Sequence, residues 1–190
     1  QLAAHVSNRL KGGASAMTMN HEVALIKLVF RHARRWGYLK ISPADDLDRP
    51  KATSKEIEVL TPDEFRLFIE KVHPHFQTAF NAAFLCGLRA GELWALQWGD
   101  IDWQSNRLYV RRSVWKGRFQ TPKTKKSLRK IDLPQQLVQE LKVWKLACPV
   151  NEHDLVFPGL EGGIANHINI ANRHFYPALR RAGLRHVSFH

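Results

Sequence analysis

The chain has 190 residues, 44% hydrophobic and 24% charged, proportions that suit one ordinary domain or two small ones and exclude a disordered tail. Lysine and arginine number 29 against 17 aspartate and glutamate, a net charge of +12. That excess points to a polyanionic partner without separating a nucleic-acid binder from other basic proteins. Two cysteines cannot build a disulfide framework, and no apolar run approaches the ~18 residues of a membrane span.

Leu2 to Leu10 reads as a short helix. Asn20 to Gly37 reads as a longer amphipathic one, because Val23, Ile26, Phe30 and Ala33 recur at three- and four-residue spacing. Ser42-Pro43 closes that pattern. The polar stretch that follows, through Asp45, Asp46, Asp48, Arg49 and Pro50, has the composition of a linker. Two helices bury too little to stand alone, so residues 1–50 read as part of a helical domain with its linker, and residues 51–190 as a second domain.

Thr61-Pro62-Asp63-Glu64 is a strong helix start: a hydroxyl cap, proline at the first helical position, and glutamate three residues on to return the hydrogen bond. That helix is expected to run to about Val72. The next, roughly His75 to Leu88, is apolar nearly all round and is expected at the centre. A third starts near Gly91 and carries Leu93, Trp94 and Leu96. The period then changes to alternation over 107–111, 119–121 and 130–133. These read as three short antiparallel strands with turns near Gly117 and Lys125. Leu155-Val-Phe-Pro158 reads as extended, between helices over Pro134–Ala147 and about Ile164–Ala182. The fold class expected is α+β, mostly helical with a small three-stranded antiparallel sheet.

The positive charge is concentrated. From Gln104 to Ile131 there are ten Lys and Arg and no acid. Arg111, Arg112, Lys116, Arg118, Lys125, Lys126 and Arg129 are the candidates for DNA backbone contact, interleaved with Tyr109, Trp115 and Phe119. Ile164 to His190 is also free of acid. Arg89 lies at the junction of two apolar helices, with Glu92 three residues on. The residues alone leave two readings open: a buried structural Arg–Glu pair, or an arginine aimed at a phosphate and oriented by Glu92. His73 with His75, and His186 with His190, are the histidine pairs close in sequence. With no cysteine near them, neither a metal site nor another cofactor is expected.

Gly87-Leu88-Arg89-Ala90-Gly91-Glu92-Leu93, followed by Leu96-Gln97-Trp98-Gly99-Asp100-Ile101-Asp102, resembles the tyrosine recombinases of the phage integrase family. Thr121-Pro122-Lys123-Thr124-Lys125-Lys126-Ser127 through Leu133-Pro134 resembles that family's basic hairpin. Val156-Phe157-Pro158 and Ser188-Phe189-His190 follow in the family's order. The likeness covers about residues 20–190, and four motifs in order make it specific.

The resemblance implies DNA binding and site-specific recombination or integration through a 3′-phosphotyrosyl intermediate, on double-stranded DNA, with further recombinase protomers as possible partners. It implies Arg89 as the clamp on the scissile phosphate, Glu92 as its support, Lys123 as the proton donor to the leaving 5′-oxygen, and His190 as the opening histidine of a His-x-x-Arg motif. It implies residues 1–50 as part of a DNA-gripping core-binding domain, residues 51–190 as a catalytic domain, and a cytoplasmic, DNA-associated setting.

The family's second arginine and nucleophilic tyrosine belong after His190. Tyr38, Tyr109 and Tyr176 all precede it, and none is expected to act as the nucleophile. The sequence starts without methionine and stops at His190, so both ends read as cut, and the chain alone is expected to bind DNA without turnover. A naturally truncated, inactive DNA-binding protein is the alternative, and a basic RNA-binding protein a weaker one.

Overall fold

The computed structural model describes residues 1–52, 58–120 and 128–189. The chain divides into two compact units, Gln1–Ile57 and Glu58–His190. Among the described residues no helix is long and apolar enough to cross a membrane.

In the first unit, helix α1 (Leu2–Lys11) and helix α2 (Ala16–Arg35) bury Val6, Met19 and Val23 together with Leu47. Helix α2 starts earlier than its hydrophobic period suggests, because the Ser15 hydroxyl accepts a hydrogen bond from the Thr18 amide and caps it. The stretch with linker composition is packed in its first half. Ala44 and Leu47 are buried, the Asn20 side chain donates to the Pro50 carbonyl at 3.2 Å, and Lys27 reaches the Asp45 carbonyl at 3.2 Å. A short apolar set scattered among charges carries no period, which hides this packing from the sequence.

The second unit begins on helix α3 (Pro62–Lys71), where both arms of the Thr61–Glu64 capping box form. Helix α4 (Pro74–Cys86) buries Phe76, Ala79, Phe80, Ala82 and Cys86. Phe68 of α3 and Phe175 pack edge-on and tilted against Phe80. The expected all-round burial of α4 fails on one face, where Phe84 and Leu85 remain partly exposed and Phe84 stacks on Phe65.

Helix α5 is a single turn, Ala90–Leu93, shorter than expected. The chain leaves the helix because the following backbone pairs elsewhere. Gln97 bridges Leu155, and the Val156 amide donates to the Leu96 carbonyl at 2.8 Å. Leu155, Val156 and Phe157 are thereby buried beneath helix α6 (Gln135–Ala147), whose Trp144 indole donates to the Val156 carbonyl at 2.6 Å.

A three-stranded antiparallel sheet is present, with order β1 (Ile101–Asp102), β2 (Arg107–Val110), β5 (Arg129–Asp132). Its membership differs from the expectation. The strand expected over 119–121 is represented by Phe119 and Gln120, which belong to a separate hairpin, β3 (Ser113–Trp115) with β4 (Arg118–Gln120), while Thr121 lies outside the described residues. Lys116 and Gly117 turn that hairpin with φ of 49° and 72°, the two-residue geometry whose twist matches its strands. Strands β1 and β3 are too short to show alternation, so the sequence does not display them. The expected turn at Lys125 lies outside the described residues.

The last helical stretch continues from α7 (His167–Ile170) through a π-helical segment, Ala171–Phe175, into α8 (Tyr176–Arg181). Phe175, Ala178 and Leu179 face the core.

Candidate functional site

Helix α4 ends on Gly87, whose φ of 59° turns the chain sharply. Leu88 then dives into the core, and Arg89 adopts extended backbone at the cap of α5. A buried arginine is not what results. The Arg89 side chain is 75% exposed, and it is the Glu92 side chain, at 8%, that is buried.

All four lone-pair sites of the Glu92 carboxylate are filled. Oε2 accepts the Arg89 amide at 2.9 Å and Oε1 accepts the Arg89 guanidinium at 3.0 Å. Arg129, at the start of β5, donates to both oxygens at 2.8 and 2.9 Å and also to the Gly87 carbonyl at 3.3 Å. Burial pushes the Glu92 carboxyl upward, but the hydrogen bonds from Arg129 and Arg89 outweigh it and hold it below the ordinary carboxylate value. The Arg129 guanidinium is correspondingly raised by its bond to Glu92. Glu92 is therefore ionised at neutral pH, and Arg89 leans on it by one edge.

A second buried carboxylate repeats the theme. Asp100 receives Arg112 at 2.6 Å and Arg111 at 3.5 Å and caps its own turn through the Gln97 amide at 3.0 Å. Its side chain is 2% exposed. Sequence reasoning missed this role of Asp100, although Gln97 to Asp100 has the spacing of a cap. It also missed the partner of Arg129, which no local pattern could reveal because the contact spans 37 positions.

The cations expected to meet DNA thus stand in different surroundings. Lys116 and Arg118 flank the tip of the β3–β4 hairpin and are exposed. Arg111 is half exposed and lies 5.1 Å over the Tyr109 ring. Arg112 is drawn inward by Asp100, and Arg129 by Glu92. Tyr109, Arg111, Leu128, Arg129 and Lys130 line an open groove of about 610 Å³ along β2 and β5. Lys123, Lys125, Lys126 and His190 lie outside the described residues.

In the acid-free C-terminal stretch, Arg185 pairs with Glu58 at 2.9 Å and with Glu64, and Arg181 donates to the Lys71 carbonyl at 2.7 Å. These two arginines fasten the end of the chain to α3. Tyr176 stacks on His186, with ring centroids 4.7 Å apart. Among the described residues no group of three or more histidine, cysteine or carboxylate side chains could hold a metal ion. Burial pushes the Cys86 thiol up to about 11, which leaves it unreactive at neutral pH.

Residues 58–190 match the phage integrase family. The ICEBs1 integrase of Bacillus subtilis is 35% identical over 145 residues, a match covering 73% of this chain and 39% of that protein. The tyrosine recombinase XerC of Xanthomonas campestris is 26% identical over 195 residues, covering 100% of this chain and 57% of its own length. The chain thus spans well under two thirds of these relatives. Among solved structures, the Tn1549 transposon integrase in complex with a circular intermediate DNA superposes with a TM-score of 0.82 at 17% identity, over 97% of this chain and 64% of that one. The lambda integrase tetramer bound to a Holliday junction gives 0.73 at 19% identity, over 98% and 53%. These likenesses establish the α+β fold, and with the sequence match they show that the chain belongs to the phage integrase family.

Proposed function

We propose that this chain carries the DNA-binding and phosphate-clamping part of a site-specific tyrosine recombinase. In this reading Arg89 clamps the scissile phosphate and Glu92 supports it. Lys123 protonates the leaving 5′-oxygen as a tyrosine forms the 3′-phosphotyrosyl bond, and His190 joins the phosphate site. Residues 51–190 act as the catalytic domain and residues 1–50 as part of a core-binding domain. The partners are double-stranded DNA and further protomers, in a cytoplasmic, DNA-associated setting. The nucleophile is none of Tyr38, Tyr109 and Tyr176.

One observation carries the reading: an exposed guanidinium held by one edge against a buried, fully satisfied carboxylate. A planar fork fixed in this way keeps donors for a second anion, which is what a transition state with charge on non-bridging phosphate oxygens requires. The DNA-bound states of the Tn1549 and lambda integrases support the assignment of duplex DNA.

The test is duplex binding by fluorescence anisotropy, together with thermal melting of the same samples. Arg89→Ala is expected to weaken binding about tenfold, the loss of one charge-assisted hydrogen-bonded contact, with little change in melting temperature. Unchanged affinity in Arg89→Ala overturns the clamp.

A further inference from the structure

We propose that Arg129 is a positioning residue that balances the charge of Glu92, so that the charge of Arg89 remains available to a phosphate. This inference rests on the phosphate-binding reading of Arg89 given above.

Glu92 carries one negative charge and touches two guanidinium groups. With Arg89 alone, the pair would be neutral, and an approaching phosphate would meet a dipole in place of a cation. With Arg129 added, the three side chains sum to +1. The geometry divides the work between the two arginines. Arg129 offers a two-pronged contact to both carboxylate oxygens, the strongest arrangement open to such a pair. Arg89 gives Glu92 one guanidinium bond, at 3.0 Å. Exposure divides in the same sense: 30% for the Arg129 side chain against 75% for Arg89.

The bridge also fixes the Glu92 rotamer. Each oxygen accepts one hydrogen bond from Arg129 and one from Arg89, so rotation of the carboxylate breaks contacts to both residues at once. The third link, from Arg129 to the Gly87 carbonyl, ties the support to the turn from which Arg89 emerges. Arg129 thus acts on a phosphate through Glu92 and Arg89, and its presence within the basic run of the sequence conceals a role different from direct backbone contact.

The experiment is an NMR titration of the whole chain with inorganic phosphate, read at the Arg89 Nε–Hε cross-peak and assigned by its loss in Arg89→Lys. The wild-type cross-peak is expected to shift and saturate. In Arg129→Gln the dissociation constant at Arg89 is expected to rise at least about tenfold. Arg129→Lys, which keeps the charge, is expected to bind within about threefold of wild type. Should Arg129→Gln fail to fold, Arg129→Met, uncharged and of similar length, takes its place with the same expected loss.

An Arg129→Gln affinity equal to wild type overturns the inference and leaves the clamp intact. A tenfold loss in Arg129→Lys also overturns it, because packing and not charge balance would then be what Arg129 supplies. A wild-type Arg89 cross-peak that ignores phosphate overturns the clamp itself, and this inference with it.

Discussion

Arg129 and Glu92 stand 37 positions apart and meet through both carboxylate oxygens, at 2.8 and 2.9 Å. The contact fastens the first residue of β5 to the turn of α5, and it makes the two arginines on Glu92 unequal in what they do for the fold. Arg129→Met is expected to cost about 2 kcal/mol of stability, below the full value for breaking a buried pair because Arg89 still touches Glu92. Arg89→Ala is expected to cost less than about 1 kcal/mol, as for an exposed ion pair. Urea denaturation of both variants checks this, and equal losses would contradict the asymmetry.

Acid should act through the same carboxylate. The folded value of Glu92 lies below its ordinary 4.5, so the stability it contributes is complete above that value and is lost as pH falls through the folded one. Glu64 is lowered in the same direction, first by the Thr61 amide and then by Arg185. Melting temperature is expected to hold from neutrality to about pH 5 and to fall below 4.5, with a shallower fall in Glu92→Gln. Melts across pH 3 to 7 give the comparison, and parallel curves for the two proteins would exclude Glu92 from the acid limb.

Gly91 tests the packing that carries the site. A Cβ placed there meets the Val114 carbonyl oxygen at 2.9 Å, a backbone atom that cannot swing aside. Gly91→Ala is expected to destabilise by about 1–3 kcal/mol by overpacking. It should also move the Arg89–Glu92 turn away from β3 and weaken phosphate binding at Arg89. A melt and a phosphate titration on this variant check both. A neutral or stabilising alanine would show that α5 and β3 do not approach as described.

The basic stretch should separate by function. If Lys116 and Arg118 each meet a phosphate, replacing either by alanine lowers the log–log salt slope of duplex binding by about 0.9. Arg112→Ala is expected to leave that slope unchanged and to lower the melting temperature, because it strips the closest partner from buried Asp100. Salt titrations and melts on the three variants distinguish the groups, and a slope change in Arg112→Ala with unaltered stability would reverse the assignment.

What the sequence displayed was local. The Thr61–Glu64 cap, the amphipathic period of α2, the alternation of β2 and the turn at Gly117 each rest on residues within a few positions of one another, and each formed, α2 alone with its start displaced to Ala16. What it concealed was non-local. The pairing of Leu96 and Gln97 with residues 155–156 cuts α5 short, and no propensity within α5 signals that ending. The hairpin partner of Phe119 is a three-residue strand beside two arginines, too brief for any period to emerge. Glu92 was legible as the neighbour of Arg89 because three residues separate them. Arg129 was legible only as one more positive charge, because its partner lies far off in sequence.

The π-helical segment Ala171–Phe175 has a consequence for how chain length can vary. A π turn holds one residue more than an α turn, and here the segment runs from Ala171 to Phe175, both buried, before α-helical pitch resumes at Ala178 and Leu179, also buried. Losing one of the exposed residues Asn172 or Arg173 would convert the segment to regular helix while keeping Ile170 and Leu179 on the same side. The helix through α7 and α8 therefore contains a point at which a single-residue deletion is absorbed as a change of pitch, where elsewhere in that helix it would rotate every following side chain by about 100°.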